Sequence, residues 1–159
     1  MITQISIISA IFFTSPKTTQ QRNLMAKGIF LLKVNVMNIL FLMYPWKNVH
    51  PETDSTLRLI HECVSRGHTV AVATIHNLTM RKSVASAYCQ VFDKDFVAPA
   101  NIVSFYKKAP FKKSLLPLAG FDTIFMRANP PLDPIALNFL DSVREQVFIM
   151  NDIDGLRIA

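Results

Sequence analysis

Glycine is scarce in this chain of 159 residues: four in all, Gly28, Gly67, Gly120 and Gly155. They stand singly and far apart, which excludes a Gly-x-x-x-x-Gly-Lys phosphate loop and a Gly-x-Gly-x-x-Gly dinucleotide turn. Cysteine is scarcer still. Cys63 and Cys89 are the only two, so there is neither a disulfide framework nor a Cys-x-x-Cys pair, and a reducing cytoplasmic compartment is the expectation. Both thiols read as small packing residues rather than nucleophiles. The four histidines, His50, His61, His68 and His76, show no metal-ligand spacing; His61 and Cys63 sit two apart on a helix-like segment and face away from each other. No Ser-His-Asp order and no paired-acid pattern stands out. The sequence therefore assigns no catalytic residue, no cofactor-binding residue and no metal ligand.

What the chain does have is apolar mass. Half of it is hydrophobic and 18% is charged, which predicts a packed globule of about one domain. The net charge of +6 suggests nucleic acid at first sight. Its distribution argues otherwise. Residues 1–36 carry Lys17, Arg22, Lys27 and Lys33 and no acid, and the remaining 13 basic and 11 acidic residues leave only +2. Nucleic acid is thus not an expected partner of the main body. A membrane is not expected either. "ISIISAIFF" lacks a preceding cation and a clear cleavage site, and "IFLLKVNVMNILFLMY" is interrupted by Lys33, Asn35 and Asn38. "MNILFLMYPW", from Met37, reads like a natural protein start. Residues 1–36 are accordingly read as a leader or upstream extension outside the domain, with a cleaved signal or anchor as the alternative.

From Met37 the pattern is regular. "NILFLM" (38–43) is a continuous apolar run of strand length, followed by the loop "YPWKNVHPET". Thr53, Asp54, Ser55 and Thr56 are all helix-capping types, and Leu57, Ile60 and Val64 then line one helical face. Gly67 stands where a helix end wants a left-handed residue, and "TVAVAT" (69–74) is a second strand. Strand, helix, glycine, strand is a βαβ unit with parallel strands. "LTMR" and "VASAYCQVF" predict a hairpin turning at Lys82-Ser83. The stretch from Asp93 to Lys113 reads as irregular or edge structure, with a basic cluster of Lys107, Lys108, Lys112 and Lys113 on a solvated loop. "FDTIFM" (121–126) is a further strand, Asp133-Pro134 starts a helix with Ile135, Phe139 and Val143 on one face, and "VFIM" (147–150) is a short strand. The expectation is a three-layer α/β domain with a mainly parallel sheet.

In such sheets ligands sit at the carboxyl ends of the strands. Two loops leave there, 44–56 and 127–134. At the first, Asp54, Ser55 and Thr56 at a helix N-terminus would suit a zwitterionic amino-acid head, or Asp54 simply caps the helix. At the second, Arg127 ends a buried strand on the run Asn129-Pro130-Pro131, which fixes φ twice and stiffens the loop. Its guanidinium either clamps a ligand carboxylate or forms an internal salt bridge to Asp133 or Asp54.

These residues carry a family resemblance. "LPLAGFDTIFMRANPPLD" (116–133) resembles the Leu-Pro-Leu…Asp-x-Ile-x-Met-Arg-x-x-Pro-Pro-x-Asp segment of bacterial glutathione synthetases. "DSTLRLIHECVSRGHTV" (54–70) is similar to their first helix, and "NDIDGLRIA" to an Asn-x-Pro-x-x-Leu-Arg segment in which Ile153 replaces the proline. The resemblance covers residues 37–159 and implies a Rossmann-like, pre-ATP-grasp amino-terminal substrate domain. The full-length family joins γ-glutamylcysteine to glycine with ATP and magnesium. It further implies that Asp54, Ser55, Thr56 and Arg127 contact an amino-acid or dipeptide substrate. Thr53 stands where the family tends to carry lysine, which leaves room for another amino-acid-like acid acceptor. By the same resemblance, nucleotide and metal belong to an ATP-grasp domain not seen before Ala159. The expectations are an inactive isolated chain, whether a truncated product, a split gene's first half or an excised domain, with a separate ATP-grasp chain as a partner and a homo-oligomer as a further expectation. Residues 37–74 also resemble the first unit of GT-B glycosyltransferases, with Arg66-Gly67-His68-x-Val70, but that pattern leaves the Arg-x-x-Pro-Pro loop unexplained. A non-catalytic binding remnant is the other alternative.

Overall fold

A computed structural model of the chain describes residues 35–128 and 133–158. Residues 1–34, which make up most of the expected leader 1–36, and the Asn129–Pro131 run lie outside the described residues, and so does the stiffness expected of that run. The fold belongs to the compact unit that begins at Val36.

Seven strands form one sheet: β1 (Asn38–Leu42), β2 (Thr69–Ala73), β3 (Leu78–Arg81), β4 (Val84–Phe92), β5 (Phe111–Pro117), β6 (Thr123–Met126) and β7 (Phe148–Met150). The described α-helices are α1 (Ser55–Ser65), α2 (Ile102–Lys108), α3 (Pro134–Asp141) and α4 (Ile153–Arg157). The order across the sheet is β3-β4-β2-β1-β6-β7, and β5 pairs with β4. β2, β1, β6 and β7 run parallel. β4 is antiparallel to β2, β3 and β5. The result is an α/β, Rossmann-like domain whose sheet is mixed: a parallel half as expected, flanked by an antiparallel half. β5 occupies one edge of β4 along Ser86–Phe92, so β2 and β3 divide the opposite edge between them.

β1 is apolar from Ile39 to Leu42 because both of its faces are covered there. Leu40 and Leu42 enter a core with Ile124, Met126, Leu137 and Leu140. Ile39, Phe41 and Met43 enter a second core with Leu57, Ile60, Val70 and Phe105. The helices that supply those partners, α3 on one side and α1 with α2 on the other, make the outer two of three layers. Truncating a fully buried leucine such as Leu40 or Leu57 would cost about 2–5 kcal/mol.

Local chemistry explains the boundaries. Asp54 caps α1, its Oδ1 accepting from the Leu57 N–H at 2.8 Å. At the other end His68 N–H reaches the Cys63 carbonyl at 3.1 Å and Gly67 N–H the Val64 carbonyl at 3.0 Å, with Gly67 at φ +80°. That is a Schellman ending, which a side chain at Gly67 would strain. The β3–β4 hairpin turns where expected, at Lys82 (φ 48°) and Ser83 (φ 63°), the two left-handed residues that a tight two-residue hairpin requires.

Two expectations need correction. The Asp93–Lys113 stretch is irregular only as far as Asn101 and ends at the start of the edge strand β5, as expected, but between them it holds α2, capped by the Asn101 side chain on Ser104 N–H at 2.9 Å. Seven residues are too few to show helical periodicity, and the buried anchor is the single Phe105. The basic cluster therefore divides between the end of a helix and a strand, and Lys112 pairs with Asp93 at 2.7 Å. In α3 the buried face is Ala136, Leu137 and Leu140, not Ile135-Phe139-Val143. Ile135, beside the capping turn, is 63% exposed. Val143 is buried, but beyond the end of the helix.

No described helix is long and apolar enough to cross a membrane. Both cysteines are unpaired. Burial pushes the Cys89 thiol up from 9.0 to about 12, and burial, with Glu62 nearby, also raises Cys63. Because folding favours the protonated thiol, the Cys89 contribution to stability is fully present below the ordinary value of 9.0 and is lost as pH rises toward 12. Iodoacetamide at pH 8, followed by peptide mass spectrometry, is expected to modify Cys63 slowly and Cys89 only after denaturant is added. Equal labelling of both in the native protein would contradict the burial of Cys89.

Candidate functional site

The connections divide at the centre of the sheet. β1 is followed by α1, which covers one face, and β6 by α3, which covers the other. β1 and β6 are neighbours, so the sheet's topological switch point falls at their carboxyl ends. In open α/β sheets such a switch point is where ligands bind.

Arg127 stands at that point. Its N–H donates to the Leu42 carbonyl at 2.7 Å, carrying the β1–β6 ladder one residue past the strand. From this anchored backbone the side chain reaches the first turn of α1. Nε donates to Thr56 Oγ1 at 3.1 Å and a terminal nitrogen to Ser55 Oγ at 3.1 Å. Thr56 is buried and Arg127 half-buried. The sequence named Asp54, Ser55, Thr56 and Arg127 from two loops 71 residues apart, and the fold brings all four together.

The two readings left open for these residues are now distinguishable in part. Among the described residues Arg127 forms no ion pair, and its side chain is held by two neutral hydroxyls. Asp133 instead uses Oδ1 to cap α3 on the Ile135 N–H at 2.8 Å. Asp54 does cap its helix, and Oδ2 also accepts from the Tyr44 hydroxyl. A carboxylate has about four acceptor positions, so capping does not exhaust it.

Two participants escaped the sequence reading. Tyr44, two residues beyond β1, fixes the second oxygen of Asp54. Asn151, just after β7, sits at φ +69° and donates from Nδ2 to the Met126 carbonyl at 2.6 Å. It thereby continues the sheet's hydrogen bonding at the residue before Arg127. Position at a strand's carboxyl end was the available signal for both, although Asn151 also opens the Asn-x-x-x-x-Leu-Arg segment. Arg157 of that segment is structural. It pairs with Asp141 at 2.5 Å and joins α4 to α3.

Chemically these residues make a binding arrangement. The α1 N-terminus carries partial positive charge, Arg127 adds a whole one, and two of its five N–H groups are occupied by hydroxyls. The remainder can pair bidentately with a carboxylate. No histidine bonds to Ser55 or Thr56 among the described residues; His61 Nε2 meets the Pro99 carbonyl at 2.8 Å instead. No described group of three His, Cys, Asp or Glu side chains is placed to hold a metal ion.

Comparison with known proteins covers most of the described chain. The sequence profile for the prokaryotic glutathione synthetase N-terminal domain matches residues 37–157, well past residue 74, where the glycosyltransferase resemblance stops. The chain is 25% identical over 134 residues to a glutathione synthetase of Bradyrhizobium diazoefficiens, covering 77% of this chain and 38% of that protein. It is 28% identical over 97 residues to one of Ralstonia nicotianae, covering 61% and 28%. Against one of Gloeobacter violaceus it is 27% identical over 130 residues, covering 76% and 38%. The chain thus spans well under half the length of these curated relatives.

Asp54→Ala removes both the cap and the Tyr44 contact and is expected to lower stability by about 1–2 kcal/mol in urea melts. Asp54→Asn keeps a capping oxygen and is expected to lose less than half of that. Equal losses in the two variants would contradict the capping role.

Proposed function

The chain belongs to the prokaryotic glutathione synthetase N-terminal domain family, and from that premise we propose that residues 37–159 form the substrate-holding domain of a glutathione-synthetase-like ligase. One observation carries this reading: an arginine without a described carboxylate partner is held by Ser55 and Thr56 at the sheet's switch point. Such a guanidinium suits the α-carboxylate of an amino-acid or γ-glutamyl dipeptide ligand. Asp54, with acceptor capacity left on both oxygens, faces the matching ammonium group. The Ser55 and Thr56 hydroxyls keep Arg127 in place, so less side-chain entropy is lost when the ligand arrives.

The joining of γ-glutamylcysteine to glycine is proposed for the whole ligase, with this domain contributing binding and orientation. By the family resemblance, ATP and magnesium belong to the other domains of the whole ligase. On that reading the phosphoryl chemistry lies outside residues 37–159, and no step is derived through either group. By themselves these residues bind rather than ligate. A reducing cytoplasm suits the two unpaired thiols.

Calorimetry with γ-glutamylcysteine tests the reading. Arg127→Ala is expected to weaken binding by about 1.5–3 kcal/mol, the range for a charged hydrogen bond. Arg127→Lys is expected to recover only part of the loss, because an ammonium cannot pair bidentately. Unaltered affinity in Arg127→Ala, with native near-ultraviolet circular dichroism, would leave Arg127 purely structural and overturn the proposal.

A further inference from the structure

A separate cleft of about 510 Å³ opens at the carboxyl ends of β1 and β2, where the loop after β1 faces β4 and β5. Its volume lies within the usual range for small-molecule sites, roughly 300–1,000 Å³. Arg127, Ser55 and Thr56 do not line it. Lys47 and Lys113 do, and no carboxylate does. Among the described residues neither lysine forms an ion pair, whereas Lys112, next in the chain, is paired with Asp93. Strand alternation separates the two: Lys113 shares its sheet face with Gln90, its partner on β4, and Lys112 takes the opposite face.

The rest of the lining is built to hold something flat. The Trp46 indole stacks on Tyr106 at 5.3 Å and meets Phe111 edge-on at 5.0 Å, so its position is fixed before any ligand enters. Tyr44 and Tyr88 also line the cleft. Asn77, in the same lining, accepts from the Thr74 N–H at 3.1 Å and the Thr74 hydroxyl at 2.7 Å, both on Oδ1. That fixes the amide and leaves its NH₂ as a donor. A cation would meet two ammonium groups and no acid. An inorganic anion would leave the aromatic walls unused.

We propose that this cleft binds a small organic anion with a flat unsaturated body, an aryl or heteroaryl carboxylate or phosphate. The anion pairs with Lys47 and Lys113, the Asn77 amide donates to it, and the body lies against Trp46 and Tyr88. This site stands independently of the substrate reading for Arg127.

Trp46 is the sole tryptophan of the chain, so selectively excited tryptophan fluorescence reports on this cleft alone. The full chain is titrated with benzoate and with phenyl phosphate, alongside uncharged benzamide and inorganic phosphate. A saturable change with either aryl anion is expected, and which of the two binds more tightly identifies the preferred headgroup. Benzamide and inorganic phosphate are expected to bind at least about tenfold more weakly, the scale of one charged hydrogen bond. The double variant Lys47→Ala/Lys113→Ala is expected to weaken the aryl anion by a similar factor or more. Lys112→Ala, which removes a neighbouring charge outside the lining, is expected to have no effect. Both lining lysines are exposed, so the fold survives their loss, and near-ultraviolet circular dichroism checks this. No saturable signal with either aryl anion, benzamide binding as tightly, or an unchanged double variant would each overturn the proposal.

Discussion

The 2.7 Å hydrogen bond from the Arg127 N–H to the Leu42 carbonyl fixes the geometry on which the candidate site depends. It extends the parallel β1–β6 ladder to the first residue outside the strand, at the place where the two chains turn toward opposite faces. Remove that pairing and Arg127 becomes one more loop cation with about 2 kcal/mol of rotamer entropy to lose on binding anything. With it, the guanidinium starts from a backbone as well placed as the strand. The same region receives a second support from Asn151, whose side chain holds the Met126 carbonyl at 2.6 Å. The left-handed backbone at Asn151 is a conformation that asparagine tolerates better than most residues.

Charge then gives the candidate site its chemical bias. A helix N-terminus and an arginine side by side repel each other mildly, and Asp54 offsets both while capping the helix. The arrangement is self-consistent without a ligand, because each described hydrogen-bond partner of the guanidinium is a hydroxyl oxygen that accepts. It is also incomplete in a particular way. Neutral hydroxyls hold a guanidinium in place but do not neutralise it, so a carboxylate gains the charge-assisted bonds that the protein withholds. The second cleft follows the same logic with different parts: two exposed lysines, no acid in the lining, and Trp46 fixed by its aromatic neighbours.

Much of this was legible in the sequence wherever one residue type has few alternatives. Asp54 as a cap, Gly67 as a left-handed stop and Lys82-Ser83 as a hairpin turn all came from local chemistry, and all three stand. The continuous apolar run of β1 announced a strand covered on both faces. The β1–β6 pairing itself was not written locally. That Arg127 meets Ser55 and Thr56 depends on which strand lies next to β1, and a parallel neighbour is chosen by packing across the whole sheet. The helix α2 was missed because its seven residues bury one side chain fully. The face of α3 was misjudged because its capping turn leaves Ile135 in solvent. Tyr44 and Asn151 act through partners 10 and 25 residues away in other elements, so no periodicity within one element points to either contact.

The most direct measurement of the central claim is the Arg127 Nε–H resonance in a ¹H–¹⁵N spectrum of the folded chain. A distinct, slowly exchanging signal is predicted, which Thr56→Val broadens or shifts toward the random-coil position and which γ-glutamylcysteine moves in a saturable manner. A signal already at the random-coil position, indifferent both to Thr56→Val and to the dipeptide, would contradict an arginine held ready for a carboxylate.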